Sequence, residues 1–411
     1  MRKFATLFAL VLLITVPFAT LHAQMDAPWA VYLYDGSTQT LTAIGLDGAQ
    51  RVYDLGLPSD TYPLQSTFPV SPDNQLTAYC TSQYEGTSGV PRTSLVIRGL
   101  EAGVDIQRLD LGSAISCNIG GFDETGGQLA VGVQFTFPYD QNLDPADPIW
   151  AVMLFDIASG AVRTIADGHS AASGMSEDEW RFSTLPIIQH FENGELIFSL
   201  QPFGTEGNPD APAFRWIQAT GVLERTDIWG GFAVERLAAT GETVWLDYDA
   251  SRISGTPMGP MPTYNVVRIT DADGVTQSVY ESGEWLPYDV RFIDGGQRLL
   301  ITMLESGNPD TPEAMPRTRL VTLDRSGIAE EAGMYGAYVQ SLAAPDGYLL
   351  MWSELSLGIT PPSIYLEYHH AGITTELWRV VSDNMGVSWS LAGSSRLPVA
   401  QEALPPFPSI G

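Results

Sequence analysis

The feature that most restricts how this chain can fold is a short unit that returns six times. A turn signal runs into an apolar or alternating strand at Ser71-Pro-Asp-Asn-Gln-Leu-Thr-Ala-Tyr79, and again at Asp123-Glu-Thr-Gly-Gly-Gln-Leu-Ala-Val131. The unit recurs at Glu192–Phe198, Ala239–Trp245, Asp294–Leu300 and Pro345–Met351, at spacings of about 47 to 69 residues. Each copy reads as a hairpin turn entering a strand. A repeat of that period implies an array of supersecondary units, none of which buries its apolar face alone.

The connections fix the phase of the repeat. A Gly, Pro, Asn and Asp-rich loop follows each unit, and more strands follow the loop. Two loops are nearly identical, Gly207-Asn-Pro-Asp-Ala-Pro212 and Gly307-Asn-Pro-Asp-Thr-Pro312, 100 residues apart or two repeats of about 50. Stretches at 83–92, 135–148, 252–263 and 353–363 hold the corresponding positions. Strand pairs follow, such as Trp150–Phe155 with Ala161–Ile165, or Arg319–Leu323 before the turn Asp324–Gly327. Four strands per repeat of this length predict a propeller blade. The expected class is all-β, a β-propeller of seven blades with four antiparallel strands each; six blades is the alternative. Residues 24–396 number 373, which gives seven blades of about 53. Complete repeats are expected to start near 66, 113, 183, 231, 285 and 337. The leftover strands Trp29–Tyr34 and Gln50–Leu55 are expected to meet a late strand near Val387–Leu391 and close the ring. The abundance of turn formers, Gly 40 and Pro 28, agrees with many short strands. Residues 397–411 are expected to be a loose proline-rich tail.

Residues 1–23 read as a secretory signal, with Arg2 and Lys3, an apolar stretch to about Phe18, and small Ala23 before Gln24. A retained membrane anchor is the alternative, opposed by Pro17 and the short apolar core. No cysteine stands at the cleavage point. The expected location is therefore secreted or periplasmic, with no membrane insertion after cleavage and a monomeric product. The net charge is −28, and Lys3 is the sole lysine. So few bases argue against nucleic acid and anionic membrane surfaces as partners. Export permits disulfides, and Cys80 and Cys117 are either bridged or two separately buried thiols.

Two resemblances follow from these residues. The Ser71-Pro-Asp unit is similar to the repeat of TolB-type propellers, where such a turn leads into an inner strand; WD40-like repeats share the pattern. That resemblance implies an extracytoplasmic propeller that binds other proteins, and supplies no catalytic residue. Ser382-Asp-Asn-Met-Gly-Val-Ser-Trp389 resembles the Asp-box of sialidase-type propellers through Ser382, Gly386 and Trp389. Asn384 stands in place of its Asp and Ser388 in place of its Thr. The resemblance implies a structural hairpin turn following the strand Leu377–Val381. Arg396-Leu-Pro398 echoes the arginine motif of that family at a different place in the chain.

Other chemistry finds little support. There is no Gly-x-Ser-x-Gly elbow and no phosphate-binding loop. His369 and His370 are adjacent on a predicted strand and face opposite ways, so they do not readily share a metal. His169 and His190 read as ordinary loop and strand residues. Asp271-Ala-Asp-Gly274 reads as a hairpin turn and lacks the further acids of a calcium loop.

The long loops are the candidate binding face. They carry Glu85, Asp140, Asp144, Asp147, Glu206, Asp210, Glu305, Asp310, Glu313 and Glu354, with Tyr84, Phe137, Tyr139, Phe203 and Tyr264. Gathered on one rim, they would suit a cation such as calcium, a basic peptide or a sugar. Solubilising acids on ordinary surface loops is the competing explanation. The expected function is a binding or protein-interaction module for a protein or glycan ligand, with no cofactor and no assigned metal. A glycan-binding or glycan-hydrolysing sialidase-like enzyme is the alternative, and would need carboxylates or an arginine cluster converging on the central channel. A purely structural envelope protein is a third reading.

Overall fold

The computed structural model describes residues 29–58, 60–64, 67–84, 91–135, 148–168, 183–202, 212–226, 234–237, 239–256, 259–283, 285–305, 317–336, 338–353, 363–381, 389–397 and 404–410. Seven four-stranded antiparallel sheets form a seven-bladed propeller. From the axis outwards, blade 2 is built of Thr61–Pro63, Leu76–Tyr84, Pro91–Gly99 and Val104–Asp110. Blade 3 holds Ser116–Phe122, Gln128–Gln134, Trp150–Asp156 and Val162–Asp167. Blade 4 holds Ser183–Glu192, Glu195–Pro202, Ala213–Ile217 and Val222–Thr226. Blade 5 holds Glu235–Arg236, Thr243–Thr256, Gly259–Thr270 and Thr276–Glu281. Blade 6 holds Trp285–Ile293, Arg298–Glu305, Thr318–Asp324 and Ala329–Tyr335, and blade 7 Val339–Ala344, Gly347–Ser353, Ser363–His370 and Ile373–Val381.

Blade 1 closes the ring. Its innermost strand is Trp389–Ser394, paired antiparallel with Ala30–Asp35, and Thr40–Gly45 and Gln50–Asp54 complete it. The chain therefore ends its array by returning beside its first strand, supplying the innermost strand that the three N-terminal strands lacked.

The repeat turn lies between the first and second strands of each blade from 2 to 7. In blade 2, Ser71 Oγ accepts the N–H of Leu76 at 2.9 Å and donates to Asp73, while Asn74 takes a φ of 58°. These small polar side chains satisfy the turn's backbone, so the chain can reverse in few residues. Middle strands have neighbouring blades on both faces and are largely buried. Trp150–Asp156 is buried at every position but the last, whereas the outermost Val104–Asp110 is mostly exposed. Apolar clusters accordingly lie between blades: Leu95, Ile97, Leu129 and Val131 pack blade 2 on blade 3, and Leu33, Leu349 and Leu366 pack blade 7 on blade 1. Each such side chain contributes about 1.5–3 kcal/mol by leaving water. Between blades 4 and 5 the described cluster is small, Ile197 and Ala213 with Val234. There Glu195 of blade 4 pairs with Arg236 of blade 5 at 2.5 Å.

Cys80, on the second strand of blade 2, is disulfide-bonded to Cys117, on the innermost strand of blade 3. Two expectations need correction. Residues 404–410 of the tail are docked on blades 5 and 6, because Phe407 finds an apolar cleft there and is 2% exposed. Leu377–Val381 and Trp389–Ser394 belong to different sheets, so residues 382–388 connect two blades and not two strands of one hairpin. Ring closure is the reason: the strand after this segment is needed as the innermost strand of blade 1. Trp389 packs against Trp378 across that junction, ring centroids 4.8 Å apart. Ser382, Asn384 and Gly386 lie outside the described residues. So do residues 1–23.

Candidate functional site

Antiparallel order sorts the connections onto two rims. Turns from first to second strand, and from third to outermost, share one rim. Connections from second to third strand, and the crossings between blades, share the other. The long loops singled out in the sequence are all second-to-third connections, so their described stems stand on one rim in blades 2 to 7. Most of the candidate residues themselves, Glu85, Tyr139, Asp140, Asp144, Asp147, Phe203, Glu206, Asp210, Asp310 and Glu313, lie outside the described residues. Glu305 is described and is engaged: Arg317 Nε donates to its Oε2 at 2.7 Å, and this pairing holds its carboxyl below the usual range. Trp285 sits beneath, with the guanidinium groups of Arg317 and Arg319 at 6.0 and 5.8 Å from its ring.

On the opposite rim the central channel opens into a cavity of about 450 Å³, to which all seven blades contribute. Its walls are the last residues of the innermost strands, among them Gln189–Glu192, Glu235–Arg236 and Arg291–Phe292, together with Ser394–Leu397. Among the described residues three arginines, Arg236, Arg291 and Arg396, converge here, and no tyrosine lines the cavity. Each is ion-paired: Arg236 with Glu195, Arg291 with Asp289 at 3.2 Å, and Arg396 with Glu192. Ser341 of blade 7 also donates to Asp289, at 2.7 Å.

Glu235 differs from the other acids. Its depth in the channel strips water from the carboxylate and pushes the group up to about 7, against the opposing pull of Arg291 and of the Phe292 N–H, which donates to it at 2.7 Å. Burial likewise pushes His190 down, despite the nearby Glu192 and Glu195. The site can therefore hold a polar or charged ligand by exchange of ion-pair partners, and it offers one carboxyl able to carry a proton near neutrality.

Of these channel residues the sequence pointed only to Arg396, as an echo of an arginine motif, and to His190, as an ordinary strand residue; Glu192, Glu235, Arg236 and Arg291 were not singled out as site residues. A signal was present: Arg236 and Arg291 each stand three residues before a repeat turn, and Glu192 begins one. The last positions before that turn are the channel mouth in every blade from 3 to 6.

His369 and His370 stack on Tyr348 and Tyr368 of their own blade, and His370 is exposed. Asp271 organises a hairpin turn, accepting the N–H groups of Asp273 and Val275. His169 lies outside the described residues. Among the described residues no three His, Cys, Asp or Glu side chains are grouped as metal ligands, and no helix is long and apolar enough to cross a membrane.

No protein-family model matches the chain, and no curated protein matches it. Solved structures do. Prolyl oligopeptidase B from Galerina marginata, bound to a 25-residue macrocyclization substrate, superposes with a TM-score of 0.51 at 9% identity, over 85% of this chain and 49% of that one. This chain thus spans about half the length of that protein. The β-propeller domain of the trilobed protease from Pyrococcus furiosus gives a TM-score of 0.37 at 9% identity, over 80% of this chain and 99% of that one. At such identities the likeness is one of fold, and the fold it shares is the β-propeller.

Proposed function

We propose that this protein is an exported, TolB-type binding propeller that recognises a partner protein through the rim carrying its long connections. The observation that supports this reading is the common rim of the second-to-third strand stems in blades 2 to 7. The sequence between those stems is rich in acids and aromatics, a composition suited to a basic peptide or protein surface. Replacing Asp140, Asp144, Asp147, Asp310 and Glu313 together by amides should weaken binding of basic peptides at least tenfold and flatten its salt dependence, measured by calorimetry. Equal binding by the amide variant and the parent would refute the reading.

A second reading, a glycan-active propeller, draws on the convergence of Arg236, Arg291 and Arg396 with Glu235 at the channel mouth. The pairing of each arginine, and the absence of a lining tyrosine among the described residues, weigh against it. Release of sugar from an oligosaccharide or sialoside panel, lost in Glu235→Gln, would move the assignment to this reading.

A further inference from the structure

The segment beyond the closing strand ends as a seated peptide. Residues 404–410, Leu-Pro-Pro-Phe-Pro-Ser-Ile, form no strand and lie in the cleft between blades 5 and 6. Phe407 enters the cluster of Val279, Val290, Phe292 and Leu323. Arg325 covers its ring at 4.3 Å. That guanidinium is prearranged by blades 5 and 6 themselves, donating to Glu242 at 2.7 Å and to the Gly296 carbonyl at 2.8 Å. It also donates to the carbonyl of Pro405. Gln277 Nε2 donates to the carbonyl of Phe407 at 2.6 Å, and the N–H of Ile410 donates to the carbonyl of Ser278 at 2.9 Å.

A side-chain pocket combined with bonds to the peptide's main chain is one way proteins read extended segments of other molecules. Prolines on both sides of Phe407 preset an extended backbone, so little conformational entropy is lost on seating. Arg325 is held by Glu242 and the Gly296 carbonyl independently of the tail, so this wall of the slot does not need the tail to be set.

We infer that the cleft between blades 5 and 6 is a peptide-binding slot, occupied in cis by the chain's own C-terminal segment, which takes in trans an extended segment with an aromatic side chain set between prolines. The slot stands apart from the acidic rim: Gly296 and Arg325 lie in turns of the opposite, channel-mouth rim.

The test uses the full chain carrying Phe407→Ala and a fluorescent peptide with the sequence of residues 404–410. Saturable binding is expected, at least tenfold tighter than to the parent chain, whose slot is filled. A peptide with alanine in place of its phenylalanine should not bind, and adding Gln277→Ala to the chain should weaken binding several-fold. A folded Phe407→Ala chain that does not bind the peptide overturns the inference. Should that variant fail to fold, a protease site inserted between residues 397 and 404 is cut after the parent has folded. Exchange of the released tail for labelled peptide supports the slot; a tail that stays until the ring melts makes it fixed core and overturns the slot.

Discussion

Arg396 donates to Glu192 across the mouth of the channel. Arg396 follows the innermost strand of blade 1, and Glu192 ends the innermost strand of blade 4, so the pair joins nearly opposite sides of a seven-membered ring. The two side chains are 30% and 22% exposed. Solvent screening is therefore partial, and the pair is worth more than an open surface contact.

A double-mutant cycle with Arg396→Ala and Glu192→Gln should give a coupling of about 1 kcal/mol by denaturant unfolding, shrinking in 1 M salt. A coupling within about 0.3 kcal/mol of zero would mean that the pair does not tie the ring.

The Cys80–Cys117 bridge spans 37 positions of chain and joins blades 2 and 3. Chain-entropy arithmetic assigns such a loop about 4 kcal/mol through the unfolded state. Reduction, or Cys80→Ser with Cys117→Ser, should lower the melting temperature by several degrees. Rapid labelling of the unreduced native protein by a thiol reagent would count against the bridge.

The architecture was legible because its signals are local and repeated. The Ser71, Asp123, Asp294 and Pro345 units mark turns whose chemistry sits within a few residues, and their period gave the blade count. The closing strand was legible because Trp29–Tyr34 and Gln50–Leu55 were left over from the six complete repeats; it is Trp389–Ser394, shifted slightly from the expected stretch. The channel site was not legible. It takes a few residues from each of seven blades, so Glu192, Glu235, Arg291 and Arg396 are brought together only by the ring. Phe407 was missed for a compositional reason: its prolines read as looseness, although a large aromatic among them is a reason to dock. Most of the acidic candidates remain sequence-level proposals, with Glu305 alone described, and Arg317 already holds it.

Blade spacing depends on missing side chains as well as on large ones. A Cβ on Gly132, in the second strand of blade 3, would stand 2.5 Å from the carbonyl oxygen of Pro186 in blade 4. Backbone cannot step aside as a flexible side chain does. Gly132→Ala should therefore cost about 1–3 kcal/mol by overpacking, read as a lower denaturation midpoint with an unchanged slope. An unchanged midpoint would show that the two blades can separate without cost.

Glu235 gives the ring a pH dependence whose sign can be stated in advance. Its carboxyl titrates near 7 in the channel, above the ordinary value of 4.5, chiefly because burial disfavours the charge. The folded state then binds that proton more tightly than the unfolded state. Its contribution to stability is full below pH 4.5 and is lost as pH rises through 7. Glu235→Gln keeps an acceptor for the Phe292 N–H and removes the charge. Each pKa unit is worth about 1.4 kcal/mol, but the lumen admits water and Arg291 loses a neighbouring anion, so a gain of about 1–2 kcal/mol is expected at pH 8. Near pH 4.5 the two proteins should melt together. A variant less stable than the parent at pH 8 would mean that the ionised carboxylate is held by Arg291 more strongly than burial penalises it.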